Sequence, residues 1–249
     1  MTTLLSQPEA DEFGFVKTLN QQGFMTNYLD EFSEKFVDFS ASSPLPVLDI
    51  GAAFGVASIQ ALKLGATVVA NDLDPRHLEI LKQNPVAQLG SSIAPKLKLQ
   101  PGRFPEQLSL YPDSLSAVLA CRVLHFLDGT GIEEGVRKVY SWLSRGGRFF
   151  VVSETPYVGG LQSFIPTYEQ RKALGARWPG LIQNFQQVDP SRSKDLPKLM
   201  HLLDEDVLRR VFEESGFRVL EARKFARPNF PPALRLDGRE SVGIIGVKD

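Results

Sequence analysis

The 249 residues suit one α/β domain with insertions, and a usage of 43% hydrophobic and 23% charged residues excludes a disordered segment. The 28 basic and 29 acidic residues leave a net charge of −1, which argues against a dedicated binder of nucleic acid or of an acidic membrane. The single cysteine, Cys121, excludes an intrachain disulfide and a Cys-rich metal site; His77, His125 and His201 are too scattered for a zinc motif, so no metal is expected.

Met1 to Phe15 is polar and acidic and lacks the basic start and apolar stretch of a signal peptide. No apolar run approaches the roughly 20 residues that span a bilayer. The expectation is a soluble chain of the cytoplasm. From Glu12 to Phe39, apolar residues recur at three- and four-residue spacing (Phe13, Val16, Leu19, then Phe24, Tyr28, Phe32, Phe36), which predicts two helices broken at Gly23. Ser40 to Pro46 reads as a loop. The rhythm then changes. Val47 to Ile50 is a short apolar strand, and Ala57 to Leu64 a helix closed by Gly65. Thr67 to Asn71 is a second strand. Asp74 and Pro75 open another helix as N-cap and first helical residue.

Ala94 to Gln100 and Ala117 to Ala120 read as the third and fourth strands. A helix follows over Gly131 to Leu143, then a tight turn at Arg145 to Gly147 and a fifth strand over Arg148 to Ser153. Strands alternating with helices at this spacing predict parallel βαβ units. Tyr157 to Leu199 interrupts the pattern and reads as an insertion over the active-site face, with a helix near Thr167 to Leu174. Asp204 to Ser215 is a helix ended by Gly216. Phe217 to Glu221 and Ser241 to Val247 read as two final strands.

The chemistry concentrates in Val47-Leu48-Asp49-Ile50-Gly51-Ala52-Ala53-Phe54-Gly55 and, about twenty residues on, Val69-Ala70-Asn71-Asp72. Glycines after a strand let the backbone approach a ligand that a Cβ would repel. The helix that follows points its free N–H groups at the same space. An acid at the end of the next strand can accept two ribose hydroxyls. A nicotinamide fingerprint would need a third glycine and no acid inside the first strand. Asp49, two residues before Gly51, would repel a pyrophosphate and suits an ammonium instead.

On these residues the chain resembles the class I S-adenosylmethionine (SAM)-dependent methyltransferases. Asp49, Gly51 and Gly55 match the first motif of that family, and Ala53 stands where its middle glycine is usual. The resemblance extends to about Val152 through Asp72, the stretch Asp113 to Leu119, the segment Leu124 to Leu127 and the turn Leu143 to Arg148, and Gly216-Phe217 fits a late strand. It implies a doubly wound, mostly parallel seven-stranded sheet with a late antiparallel strand. N-terminal helices would form a lid over residues 1–45, a SAM-binding domain would cover 46–249, and 157–199 would be a helical cap. The implied cofactor is SAM, leaving as S-adenosylhomocysteine. Its implied contacts are Asp49, Gly51, Ala52, Ala53, Gly55, Asp72, Leu73 against adenine, Ala120, Cys121, and Tyr28 from the lid. Many relatives place an acid after strand three for the adenine amino group. Here Arg103 stands there, leaving backbone groups of Arg103 and Phe104 for that contact.

Methyl transfer requires alignment and exclusion of water, and a base only for a protonated acceptor. The candidates near the ends of strands four and five are His125 to take a proton or orient a hydroxyl, Arg122 to hold a substrate carboxylate, Glu154 and Tyr157. Bland readings stand beside these: packing for His125, an ion pair for Arg122, capping for Glu154, an ordinary amphipathic stripe for Tyr28. The insertion aromatics Tyr157, Phe164, Tyr168, Trp178 and Phe185 would either pack a small cap or wall the substrate. The expected reaction is methyl transfer to O or N of a small or medium organic acceptor. The alternatives are a non-catalytic SAM-binding partner protein and, disfavoured by Asp49, an NAD(P)-dependent oxidoreductase.

Overall fold

A computed structural model describes residues 5–249; residues 1–4, the start of the expected lid, lie outside the described residues, as do the side chains of 85–89, 91, 92 and 94. In chain order the elements are β1 (Phe15–Lys17), β2 (Phe24–Thr26), α1 (Glu31–Ser40), β3 (Val47–Ile50), α2 (Val56–Lys63), β4 (Val68–Asp72), α3 (Pro75–Leu89), β5 (Leu97–Pro101), β6 (Leu115–Cys121) and α4 (Gly129–Trp142). They continue with β7 (Leu143–Glu154), α5 (Ile165–Ala173), β8 (Leu181–Ile182), β9 (Met200–His201), α6 (Glu205–Glu214), β10 (Arg218–Phe225) and β11 (Ser241–Val247).

Seven strands form one sheet in the order β10-β11-β7-β6-β3-β4-β5. The pairs among β3 to β7 are parallel, and β11 is antiparallel to both of its neighbours. The central strands are buried on both faces, which is why they read as continuous apolar runs. Side chains still alternate. Leu48, Ile50, Val118, Phe149 and Val151 pack with Ile132, Val136 and Val139 of α4 and Leu208 and Phe212 of α6. Val47, Leu119, Phe150 and Val152 pack on the other face with Phe32 and Phe36 of α1 and Ala61 of α2. The strand order reverses at β3, whose neighbours are β4 on one side and β6 on the other. That reversal opens a crevice at the carboxyl ends of the strands.

Two expectations are corrected. The stretch Glu12 to Phe39 is not helical throughout: its first half is the hairpin β1–β2, and only α1 is helix. Gly14 and Gly23 take φ of +78° and +99°, left-handed values that break a helix. Asp11 Oδ1 accepts the N–H groups of Phe13 and Phe15 and turns the chain back. Val16 faces Phe54 and Ile80, so the apolar spacing there reflects packing of the hairpin onto the domain. The second correction is at Arg145 to Gly147. No separate turn precedes the fifth strand; β7 begins at Leu143 and absorbs these residues as an irregularity. The Gly146 N–H donates to Lys248 O and the Lys248 N–H to Gly147 O, so the C-terminal chain completes the pairing.

The insertion carries its own small core of Tyr157, Phe164, Tyr168, Ile182, Phe185 and Met200. Asp204, the N-cap of α6, accepts Val207 N at 2.9 Å and is also bonded by Tyr168 and Lys172, which fastens the cap to the main domain.

Gly55 sits at the start of α2 with φ +85°, and a Cβ there would overlap Leu81 of α3. Left-handed strain and overpacking act together at this position. Gly55→Ala is expected to destabilise the fold by about 3 kcal/mol in urea unfolding, and Leu81→Ala introduced beside it should recover part of that loss.

Candidate active site

A cavity of about 360 Å³ opens at the carboxyl ends of β3, β4 and β6. The hairpin residues Thr18, Phe24 and Thr26 cover it on one side, and the cap contributes Pro197 and Leu199. The turn after β3 supplies its floor. Gly51 has φ +68°, and a Cβ on it would overlap Val123. Ala53 takes φ +47° despite its side chain, so the turn keeps a left-handed residue where glycine would be cheaper.

Two acids flank this turn. Asp49, in β3, is 4% exposed and accepts Ser58 Oγ at 2.7 Å. Burial pushes its pKa up to about 6, against the lowering effect of the Ser58 hydrogen bonds, and the charge of Asp72 adds to the rise. Asp72, at the end of β4, accepts Ala53 N at 2.9 Å on Oδ2 and Asp74 N at 2.8 Å on Oδ1. His77 Nδ1 lies 3.1 Å from Oδ1. Leu19 N donates to His77 Nε2 at 2.9 Å, which leaves the ring proton on Nδ1 to donate to Asp72. Arg76 Nη2 bonds Leu19 O at 2.9 Å, so both backbone groups of one hairpin residue are held by α3.

Apolar surface completes this end. Leu73 and Phe24 both line the cavity and are each 40% exposed, large apolar side chains left uncovered. Asn71, also in the lining, donates to Gln100 O and Gly102 O at 2.8 and 2.9 Å and holds the loop after β5. The Arg103 N–H is already given to Gln107 Oε1 at 2.8 Å, and the Arg103 side chain points outward, exposed. Phe104 is buried against Gly135 and stands edge-on to Trp142, 6.4 Å between ring centres.

The far wall holds Tyr28, Asp30, Ser33, Cys121 and Arg122. Asp30 caps α1 through Phe32 N and Ser33 N, and Cys121 Sγ reaches its Oδ2 at 3.4 Å. Burial, then the charge of Asp30, pushes the Cys121 thiol far up, so it stays protonated. Arg122 adopts φ +58°, a left-handed backbone that turns its side chain out of the strand direction.

Of the expected contacts, Asp49, Gly51, Ala52, Ala53, Asp72, Leu73, Arg103, Phe104, Cys121 and Tyr28 line the cavity together; Gly55 packs on α3, and Ala120 is fully buried within the sheet. Of His125, Arg122, Glu154 and Tyr157, Arg122 alone is in the lining. His125 is 3% exposed and packs edge-on against Phe126, and burial lowers its pKa to about 4, so it is neutral at pH 7. Glu154 is bonded by Arg192 at 3.0 and 3.3 Å; against burial, which raises it, that cation holds its carboxyl below the usual range. Tyr157 bonds Glu169 within the cap, and burial together with that carboxylate raises its hydroxyl to about 12. Thr18 and Thr26 of the hairpin, His77 and the cap's Pro197 and Leu199 carry no motif in the sequence.

A raised carboxyl pKa means that the folded chain keeps a proton that the unfolded chain releases between about pH 4 and 6. Stability therefore falls as pH rises through that window, and the loss is complete above it. Asp49→Asn keeps an acceptor for Ser58 without the charge. At pH 7.5 it should be more stable than the parent by about 2–3 kcal/mol, with no such slope from pH 4 to 6, as followed by urea unfolding across pH.

Residues 48–149 match the family model of a methyltransferase domain. Among curated proteins none matches the chain. A SAM-dependent methyltransferase from Methanosarcina mazei superimposes with a TM-score of 0.61 at 15% identity, covering 88% of this chain and 98% of the other. One from Mesorhizobium loti gives 0.58 at 17%, covering 82% and 91%. A glycopeptide N-methyltransferase solved with SAM gives 0.57 at 16%, covering 87% of each chain. At these identities the likeness is one of fold.

Proposed function

We propose that the chain is a class I SAM-dependent methyltransferase and that it transfers a methyl group from SAM to an oxygen or nitrogen of a small or medium organic acceptor within this cavity. The observation that carries the reading is the pair of buried acids, Asp49 and Asp72, flanking a left-handed turn whose rim exposes Leu73 and Phe24. That surface fits the group: an acid with a raised pKa for an ammonium, a second for ribose hydroxyls, and apolar faces for a purine. SAM brings an activated methyl on a sulfonium, so the protein's task is alignment and exclusion of water.

Asp72 offers the ribose one acceptor site. A carboxylate has about four lone-pair positions, and Ala53 N, Asp74 N and His77 take three of them. Gly51 lets the chain approach closely, and Ala52 and Ala53 present the backbone of the turn. Tyr28, Cys121 and Arg122 face the amino-acid end and the acceptor. His125, Glu154 and Tyr157 act behind the wall, bracing the cap. Residues 1–45 serve as the lid, 46–249 as the cofactor domain and 157–199 as the cap. Pro197 and Leu199, with the hairpin, line the cavity and support an acceptor of small size rather than a nucleic acid. A reducing, cytoplasmic setting belongs to the same proposal and rests on the unpaired thiol of Cys121. No described helix is long and apolar enough to cross a membrane.

Calorimetric titration with SAM tests the reading, with NADH as the control. Micromolar binding of SAM is expected, weakened at least about tenfold in Asp72→Ala. A folded parent that binds no SAM would sink it. Affinity should also fall as pH drops below about 6, where Asp49 takes up a proton and loses its attraction for an ammonium; titrations from pH 5 to 8 read this directly.

A further inference from the structure

The part of the cavity lined by Tyr28 and Arg122 holds polar groups without partners among the described residues. Arg122 lines the cavity, and its buried Nη2 has no hydrogen-bond partner among the described residues. Tyr28, on the same wall, also buries an unpartnered hydroxyl. Behind them, Arg227 is 3% exposed, with Nη1 and Nη2 both unpartnered. The Phe230 ring joins the two guanidiniums: Arg122 lies 5.2 Å and Arg227 4.6 Å from its centre. The carboxylates within reach are already engaged. Asp30 caps α1 and approaches Arg227 only to 3.7 Å, and Glu154 is held by Arg192. Asp189 stands beside Arg192 and Glu240 accepts Arg227 N, so what this wall lacks is not negative charge but hydrogen-bond partners for Arg122 Nη2 and the Tyr28 hydroxyl.

A guanidinium nitrogen buried without a hydrogen-bond partner is unfavourable unless something completes it. Its planar fork of donors is complementary to a carboxylate. Arg122 also holds a left-handed backbone, a strained conformation of the kind that clusters at ligand sites. We propose that Arg122 and Tyr28 form a carboxylate-binding subsite inside the methyl-transfer cavity, with Arg227 reinforcing its positive field from behind Phe230. The subsite rests on the methyltransferase reading and adds to it the chemistry of what is recognised. Two molecules can bring that carboxylate: SAM itself, through its amino-acid end, or the acceptor.

Calorimetry on the full chain separates them, using the parent, Arg122→Met, Arg122→Lys and Tyr28→Phe. The probes are SAM, its decarboxylated analogue and 5′-methylthioadenosine, which lacks the amino-acid end. If SAM supplies the carboxylate, the parent prefers SAM to the decarboxylated analogue by tenfold or more. Arg122→Met then loses that preference, Arg122→Lys and Tyr28→Phe keep part of it, and methylthioadenosine binds all four alike, which shows that the variants are folded. If the acceptor supplies it, Arg122→Met binds SAM like the parent. Acetate or benzoate then binds the parent loaded with S-adenosylhomocysteine and fails to bind the loaded variant. Binding of all these probes alike by the parent and Arg122→Met overturns the subsite while leaving the methyltransferase reading in place. A parent that binds no adenosyl compound overturns both.

Discussion

The carboxylate of Asp72 accepts three N–H groups from two separate parts of the chain. Ala53 belongs to the turn after β3, Asp74 to the entry of α3, and His77 to the first turn of that helix. Through the far nitrogen of His77 the same acid reaches Leu19 of the N-terminal hairpin. The shape of the turn, the start of a helix and the seating of the lid are therefore tied to one buried negative charge. Buried charges persist where they are well hydrogen-bonded, and here the satisfaction of Asp72 assembles the cavity around it.

The cavity carries charge of both signs. Asp49 and Asp72 flank the glycine turn, and Arg122, whose Nη2 has no partner among the described residues, also lines the cavity. Much of the rest of the lining is apolar, including Leu73, Phe24, Val123, Phe126 and Leu199. In a low-dielectric space such charges act strongly on a ligand. A molecule with a cationic centre and a flat ring can be fixed at several points without any metal or nucleophile.

The core of this arrangement was legible in the sequence because it is local. Asp49, Gly51 and Asp72 sit on strands and turns whose patterns are complete within thirty residues, and the parallel units followed from strand and helix spacing. The late antiparallel strand came from resemblance, since no local pattern orders strands in a sheet. The hairpin was read as helix because Phe13, Val16 and Leu19 happen to share helical spacing; its conformation depends on the backbone of Leu19 meeting His77 and Arg76, fifty-eight and fifty-seven residues away. Proximity of His125, Glu154 and Tyr157 to strand ends placed them near the site without fixing their direction. His125 turns into the core, Glu154 to Arg192 and Tyr157 to Glu169. The cap aromatics likewise face one another, and the cap reaches the cavity with Pro197 and Leu199.

The uncovered faces of Leu73 and Phe24 have a thermodynamic consequence. A ligand that buries them removes apolar surface from water, so its binding should carry a negative heat-capacity change and grow more exothermic on warming. The same burial, added to partners for unsatisfied buried groups, stabilises the folded state in proportion to the logarithm of ligand concentration. In a cell, where small changes in stability alter how much of a protein survives quality control, the abundance of this chain would then follow the supply of its cofactor.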